Sequence, residues 1–297
     1  MHPRLIHTLV LLDPTIQHQS TTVESQAVSE HKALIAKTTQ LSTYRRDQWP
    51  SRKAAAESFN RNPFYQAWDP RVLERWVKHG LRDLPTAIYQ LDESTPSNNS
   101  NSDVDNRPVT LRTTRHQEVF TYSRPNYDGP PGKNIPVNRT THPDLNPNYP
   151  GSYPFYRPEP AQVFAQLPLL RPSVLYIFGG KSEMSLPKMM ADKLANTGIG
   201  IGGSGGVDAG RVRDVRLAEA GHLVAQEAPV ECAEAAAGWL GAELRRWQAE
   251  EEAFRAQWSR KSKTQKLTVD ERWLEHVPRP QRKGKAPAAK EDSKPKL

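Results

Sequence analysis

The 297-residue sequence holds one cysteine, Cys232, which excludes an internal disulfide and a thiolate metal cluster. No stretch approaches the roughly 18–20 consecutive apolar residues that span a bilayer. The opening Met1-His2-Pro3-Arg4-Leu5 lacks the basic, apolar and small-residue segments of a secretory signal, so membrane and secreted classes are set aside. The sequon Asn138-Arg139-Thr140 is then expected to be idle. Nine scattered histidines show no H-E-x-x-H spacing, so no metal or other cofactor is expected. A spread basic face is missing too. Lys and Arg total 41 against 33 Asp and Glu, but Ser259 to Leu297 alone holds 12 against 5, leaving the preceding chain close to neutral. No aromatic-interleaved basic stripe or helix-turn-helix pattern accompanies that tail, and no nucleic-acid partner is expected.

What is present is a pattern of short apolar runs separated by polar, proline-rich sequence. Leu5 to Leu12 is nearly continuous in apolar residues and stops at Asp13-Pro14, as a buried parallel strand does. Trp49 to Phe59 and Asp69 to Leu81 read as helices. In the second, Asp69 is placed as N-cap, Pro70 as first helical residue, and Val72, Leu73, Trp76 and Val77 on one face. Asp92 to Pro108 is a Ser- and Asn-rich loop, and Val109 to Tyr122 has partial strand character. Arg124 to Pro160 carries ten prolines and is expected to wander over a surface. Val174 to Phe178, a helix near Lys188 to Asn196, and Val212 to Leu217 form a β-α-β unit. A helix from about Val230 to Trp258 closes it, with Leu240, Leu244 and Trp247 sharing a face that continues to Phe254 and Trp258.

His222 follows Ala220-Gly221, five residues beyond the strand end at Leu217, in a loop at the carboxyl edge of a parallel strand. Open α/β sheets place functional groups at that edge, and a neutral imidazole there can act as general base near pH 7.

Strand, Gly179-Gly180-Lys181-Ser182-Glu183, Pro187, helix, strand, Gly221-His222 and closing helix together resemble the C-terminal part of the α/β-hydrolase fold. Within it the chain resembles fungal hydrolases of the peroxisomal-lipase-like and toxin-biosynthesis-associated group. The stretches that carry this are His2-Pro3-Arg4-Leu5 through Gln17, Phe64-Tyr65-Gln66-Ala67-Trp68-Asp69-Pro70, Arg124-Pro125-Asn126-Tyr127, Tyr153-Pro154-Phe155-Tyr156-Arg157-Pro158, Leu175 to Ser182, and Gly221-His222-Leu223-Val224. The resemblance implies a parallel sheet with flanking helices and a helical, loop-rich lid insertion. It implies residues 1–19 as the first core strand, 20–170 as the lid with a loop near 92–108, 171–258 as the C-terminal core and 259–297 as a basic tail.

The implied chemistry is hydrolysis of an ester or similar acyl bond by a serine nucleophile, with His222 as base. Two carboxylates are open as the triad acid: Asp13 at the first strand end, held extended by Pro14, and Glu183 in Gly180-x-x-Glu183-x-x-x-Pro187. The nucleophile elbow, G-x-S-x-G between strand and helix, and the oxyanion-hole loop have no counterpart. Gly202-Gly203-Ser204-Gly205-Gly206 spells the elbow, and Gly198 to Gly203 spells G-x-G-x-x-G, but both lie in a glycine-rich loop without a strand before or a helix after. The expectation is therefore an N-terminally truncated hydrolase, inactive alone, whose first strand exposes an apolar edge. The alternative is a noncatalytic protein binding an apolar ligand or partner through Trp68, Trp76, Tyr153 and Tyr156. A small apolar or acyl substrate is the expected partner. The terminal Pro295-Lys296-Leu297 resembles a peroxisomal address, which makes an import receptor a second partner and the location cytoplasmic or peroxisomal.

Overall fold

The computed structural model describes residues 5–18, 37–91, 106–127, 137–146, 153–277 and 279–280. Two compact units divide the chain, Met1–Glu243 and Leu244–Leu297.

In the first unit three parallel strands form a sheet in the order β1 (Thr8–Leu12), β7 (Ser173–Gly179), β8 (Val212–Leu217). Thr8 pairs with Ser173 and Leu12 with Ile177, while Val174 pairs with Val212 and Gly179 with Leu217. β7 is buried along its whole length because both sheet faces are covered. On one face Val10, Leu175, Ile177, Val215 and Leu217 pack with Cys232 and Trp239 of the long helix α8 (Pro229–Arg260). On the other, Leu9, Leu11, Val174, Tyr176, Phe178 and Val212 pack with Met190 and Leu194 of α6 (Pro187–Asn196). The period-2 alternation of β1 thus feeds two cores at once, which is why its sequence reads as an unbroken apolar run. α8 is tied to the amino-terminal edge of the sheet, where its Trp239 indole donates to Thr8 Oγ1 at 2.8 Å and Ser173 Oγ donates to Glu243 at 2.5 Å.

Between β1 and β7 in sequence lie a separate small core, a two-stranded pair of β5 (Arg124–Pro125) and β6 (Phe155–Tyr156), and α5 (Glu159–Gln166). In the small core the two-residue β2 (Gln48–Trp49), β4 (Val109–Leu111) and β3 (Leu81–Asp83) pair antiparallel in that order. They pack with α1 (Arg52–Asn60), α2 (Pro63–Gln66) and α3 (Pro70–His79) around Trp49, Phe59, Tyr65, Leu81 and Leu111. Leu73, Trp76 and Val77 of α3 pack against this core, as the helical periodicity predicts, with Asp69 capping the Arg71 N–H at 2.9 Å. Two expectations are corrected. Trp49 is strand, and the helix begins only after Ser51, whose hydroxyl accepts the Ala54 N–H. Strand character after Val109 ends at Leu111; Arg115–Tyr122 is a helix (α4), started by a reciprocal capping box between Thr114 and Gln117. Most of the expected 92–108 loop lies outside the described residues.

Beyond Glu243, α8 continues to Arg260 and is followed by α9 (Lys263–Leu267) and α10 (Glu271–His276), capped by Ser262 and Asp270. The shared face through Leu240, Leu244, Trp247, Phe254 and Trp258 is about half exposed; the buried positions of α8 are Cys232, Trp239 and Glu243. No helix among the described residues is long and apolar enough to cross a membrane.

Candidate active site

Because the three strands run parallel, the carboxyl ends of β1, β7 and β8 lie side by side, and the loops that follow them meet. Gly179 and Gly180 close β7. A Cβ on Gly179 would stand 2.0 Å from the Gly221 carbonyl oxygen, and one on Gly180 would stand 2.5 Å from that of Ala218. Only glycine lets the loop after β8 settle onto the end of β7. There the Gly180 N–H donates to Leu217 O at 2.8 Å and the Lys181 N–H to Ala220 O at 2.9 Å. Glu227 of α7 (Val224–Glu227) accepts the Gly221 N–H at 2.6 Å, fixing the backbone one residue before His222.

His222 Nδ1 lies 2.7 Å from Asp13 Oδ2. The Asp13 side chain has no exposure, whereas that of His222 is 47% exposed. Asp13 is held from several directions. The Gly179 N–H donates to Oδ1 at 3.0 Å, Ser182 Oγ to Oδ2 at 2.5 Å, and Ser185 Oγ also donates to Oδ1. Burial alone would raise the Asp13 pKa, but the hydrogen bonds from His222, Ser182, Ser185 and Gly179 outweigh it and hold the carboxyl below its ordinary value. An ionised Asp13 can only accept, so the proton between the two side chains sits on Nδ1, and in the neutral ring Nε2 keeps the lone pair. Nε2 has no hydrogen-bond partner among the described residues.

Asp13 does not adopt the extended conformation that the following proline predicts. Its φ is +40°, in the left-handed region that a residue other than glycine enters at a cost. Its N–H donates to Ile177 O at 2.8 Å, continuing the β1–β7 pairing by one residue, and the bonds to its carboxylate offset the strain.

Glu183, the other carboxylate open as acid, points away. It pairs with Lys37 at 2.8 Å and its side chain is 62% exposed. Ser182 and Ser185, on either side of it, carry the contacts to Asp13 instead, and sequence reasoning did not single them out. Gly-Gly-x-Ser-x-x-Ser after a buried strand is the local signal that marks them. Both hydroxyls are buried and committed to Asp13, which removes them as nucleophiles. Gly198 to Gly210 forms turns, with positive φ at Gly198, Gly202, Gly205, Gly206 and Gly210; Ser204 stands in that loop without an elbow's strand and helix. No cluster of three or more His, Cys, Asp or Glu residues suited to a metal occurs among the described residues.

The chain is 36% identical over 278 residues to a type I acyl-CoA thioesterase, mpaH′, of Penicillium brevicompactum, a match covering 92% of the chain and 61% of the relative. It is 35% identical over 289 residues to mpaH of Penicillium roqueforti, covering 96% and 64%. It is similar in sequence to fungal hydrolases. A third relative, the abhydrolase domain-containing protein AFT2-1 of Alternaria alternata, is 24% identical over 237 residues, covering 80% of the chain and 74% of that protein. The chain spans a little over three-fifths of the length of the Penicillium proteins. No family model matches it. Among solved structures, the peroxisomal α/β hydrolase Lpx1 of Saccharomyces cerevisiae overlaps 93% of this chain and 55% of its own at 12% identity, with a TM-score of 0.41.

Proposed function

We propose that this chain carries the acid–base half of a hydrolase site for acyl esters or thioesters, with Asp13 as the acid and His222 as the base. The carrying observation is the 2.7 Å contact of a buried, multiply hydrogen-bonded carboxylate with an imidazole whose other nitrogen is open. In such a site Asp13 fixes the tautomer and orientation of the ring and stabilises the imidazolium. Nε2 takes the proton of an attacking serine and returns it to the leaving thiol or alcohol. The serine and the amides that stabilise the oxyanion supply the covalent and largest electrostatic contributions. No strand–G-x-S-x-G–helix segment among the described residues supplies them, so the proposal expects no turnover of acyl substrates by residues 1–297 alone. The likeness to Penicillium type I acyl-CoA thioesterases supports acyl thioesters as the substrate class.

The alternative, a noncatalytic binder using the lid aromatics, draws less support. Trp68 and Trp76 are edge-to-face at 5.8 Å and pack against the lid's own core, and the Tyr156 hydroxyl donates to Asp144 at 3.0 Å. Their burial is accounted for by packing. The lid assignment itself is supported by that separate core and by one tie to the site side, the Asp69 N–H donating to Gln226 O at 2.8 Å. A peroxisomal address at Pro295-Lys296-Leu297 falls outside the described residues; a fluorescent protein fused ahead of the last dozen residues tests it by punctate or diffuse signal.

A fluorophosphonate probe, which reacts with activated serines, tests the functional reading. No labelling of the chain is expected, whereas labelling at Ser182, Ser185 or Ser204 would place a nucleophile within these residues and overturn it.

A further inference from the structure

Near the Asp13–His222 pair is a buried lysine that the proposed acid–base chemistry does not use. Lys193 lies on α6, and its 1% exposure makes it one of the most deeply buried side chains in the molecule. Lysine is almost never fully buried without compensation, because an ammonium with three donors must leave water. Here its Nζ donates to the Met184 carbonyl at 3.2 Å and lies 5.7 Å from the centroid of the Phe178 ring. One carbonyl and one ring face compensate a unit charge poorly.

Met184 belongs to the segment that grips Asp13. Its N–H donates to Ser182 Oγ at 3.0 Å, and Ser182 Oγ in turn donates to Asp13 Oδ2. A connected path therefore runs from Lys193 through the Met184 peptide and Ser182 to Asp13 and His222. The charged groups that act on Lys193 are Asp13, from the end of β1, and Asp192, on its own helix. Asp192 is engaged by Lys188 at 2.8 Å. Tyr176, facing the same side from β7, is held neutral by burial, its hydroxyl 2.8 Å from Thr197 Oγ1.

We propose that Lys193 is a positioning residue of the Asp13–His222 pair: its buried ammonium adds a countercharge to the hydrogen bonds that hold Asp13 ionised, and its bond to Met184 holds the Ser182–Ser185 turn against that carboxylate. This inference rests on the pair described above, but it concerns charge coupling and holds whether or not the site ever meets an acyl substrate. Burial depresses the Lys193 pKa to about 8, with Asp13 and Asp192 opposing the fall. Charge coupling is reciprocal, so each partner should move the other's titration.

Titrations by NMR of the Lys193 Cε and the Asp13 Cγ in the chain itself test this. In Lys193→Gln, which retains a donor for Met184 O but loses the charge, the Asp13 midpoint should shift upward. The downfield Nδ1–H resonance of His222 should persist at neutral pH. In Asp13→Asn, the Lys193 midpoint should shift below its wild-type position. Lys193→Met removes both charge and anchor and should raise the Asp13 midpoint at least as far as Lys193→Gln does. An unmoved Asp13 titration in Lys193→Gln, or an unmoved Lys193 titration in Asp13→Asn, would overturn the coupling. A shift in Lys193→Met alone would reduce Lys193 to a structural anchor and equally overturn it. Either of the first two variants decides the matter if the other fails to fold. None of these readouts involves turnover, so failure of the hydrolase reading leaves its own, separate signature.

Discussion

Asp13 and His222, 209 positions apart in sequence, meet at 2.7 Å because β1 and β8 flank β7 in parallel and end at the same edge. The contact brings a group with no exposure against one that is half exposed, so one partner is fixed and the other can reach a substrate. That asymmetry suits an orienting acid and a working base.

Asp13→Asn keeps the shape and tolerates the left-handed backbone better than most residues, but it loses the charge that its donors are arranged to meet. The cost at neutral pH should be about 1–3 kcal/mol. Since the folded-state pKa of Asp13 is depressed, its stabilisation is present above the ordinary carboxylate range and is lost as pH falls through the folded value. Urea unfolding at neutral and at strongly acid pH should show the gap between wild type and variant narrowing in acid. A gap that stays constant would mean that the charge is irrelevant there.

Gly179→Ala inserts a Cβ 2.0 Å from the Gly221 carbonyl oxygen, backbone against backbone, with no side chain able to yield. Overpacking of this kind should cost about 1–3 kcal/mol and move the loop carrying His222. The His222 Nδ1–H resonance should weaken or shift relative to wild type, while Gly238→Ala, which meets nothing within 4 Å, should leave it in place.

Lys193 predicts a pH trend of the same sign as Asp13, stability rising with pH, but in an alkaline window. Its folded pKa of about 8 lies below the ordinary 10.5, so between those values the unfolded chain binds the additional proton. Stability therefore gains from this group as pH rises from about 8 toward 10.5. Chemical denaturation across that interval should show Lys193→Met lacking the gain that wild type has. Parallel profiles would contradict it.

β1 pairs with β7 alone among the described residues, and apolar side chains stand near its free edge: Leu12 is 42% exposed and Ile6 41%. Such an edge templates association. The chain expressed alone should self-associate at micromolar concentration in light scattering, and Ile6→Lys should reduce it. A clean monomer with a cooperative thermal transition would rule the effect out.

The central strands were legible because burial on both faces leaves no polar residue in β7 to interrupt Val174 to Phe178. The position of His222 at the carboxyl edge was legible from its place after β8. Which carboxylate meets it was not, since a carboxylate follows both β1 and β7, and only the turn after Gly180, which swings Glu183 out to Lys37 and Ser182 in to Asp13, separates them. Pro14 argued for an extended Asp13, but the donors gathered from residues 179–185 and 222 outweigh that local preference. Helix α4 carried its capping box in plain sequence, yet the β-branched residues at Val109 and Thr110 drew the strand reading too far. Trp49 adjoins the helix that begins at Arg52, and only its pairing opposite Val109 separates it as a strand residue.

The most direct test of the Asp13–His222 assignment is to complement the chain with the portion of a Penicillium acyl-CoA thioesterase that it does not cover, and to measure acyl-CoA hydrolysis. The account predicts activity in the complemented protein and none in the chain alone. Relative to the complemented parent, kcat should fall at least about a thousandfold in His222→Ala and by a comparable factor in Asp13→Asn, with little change in Glu183→Gln. Hydrolysis that survives His222→Ala, or that is lost in Glu183→Gln and kept in Asp13→Asn, would contradict it.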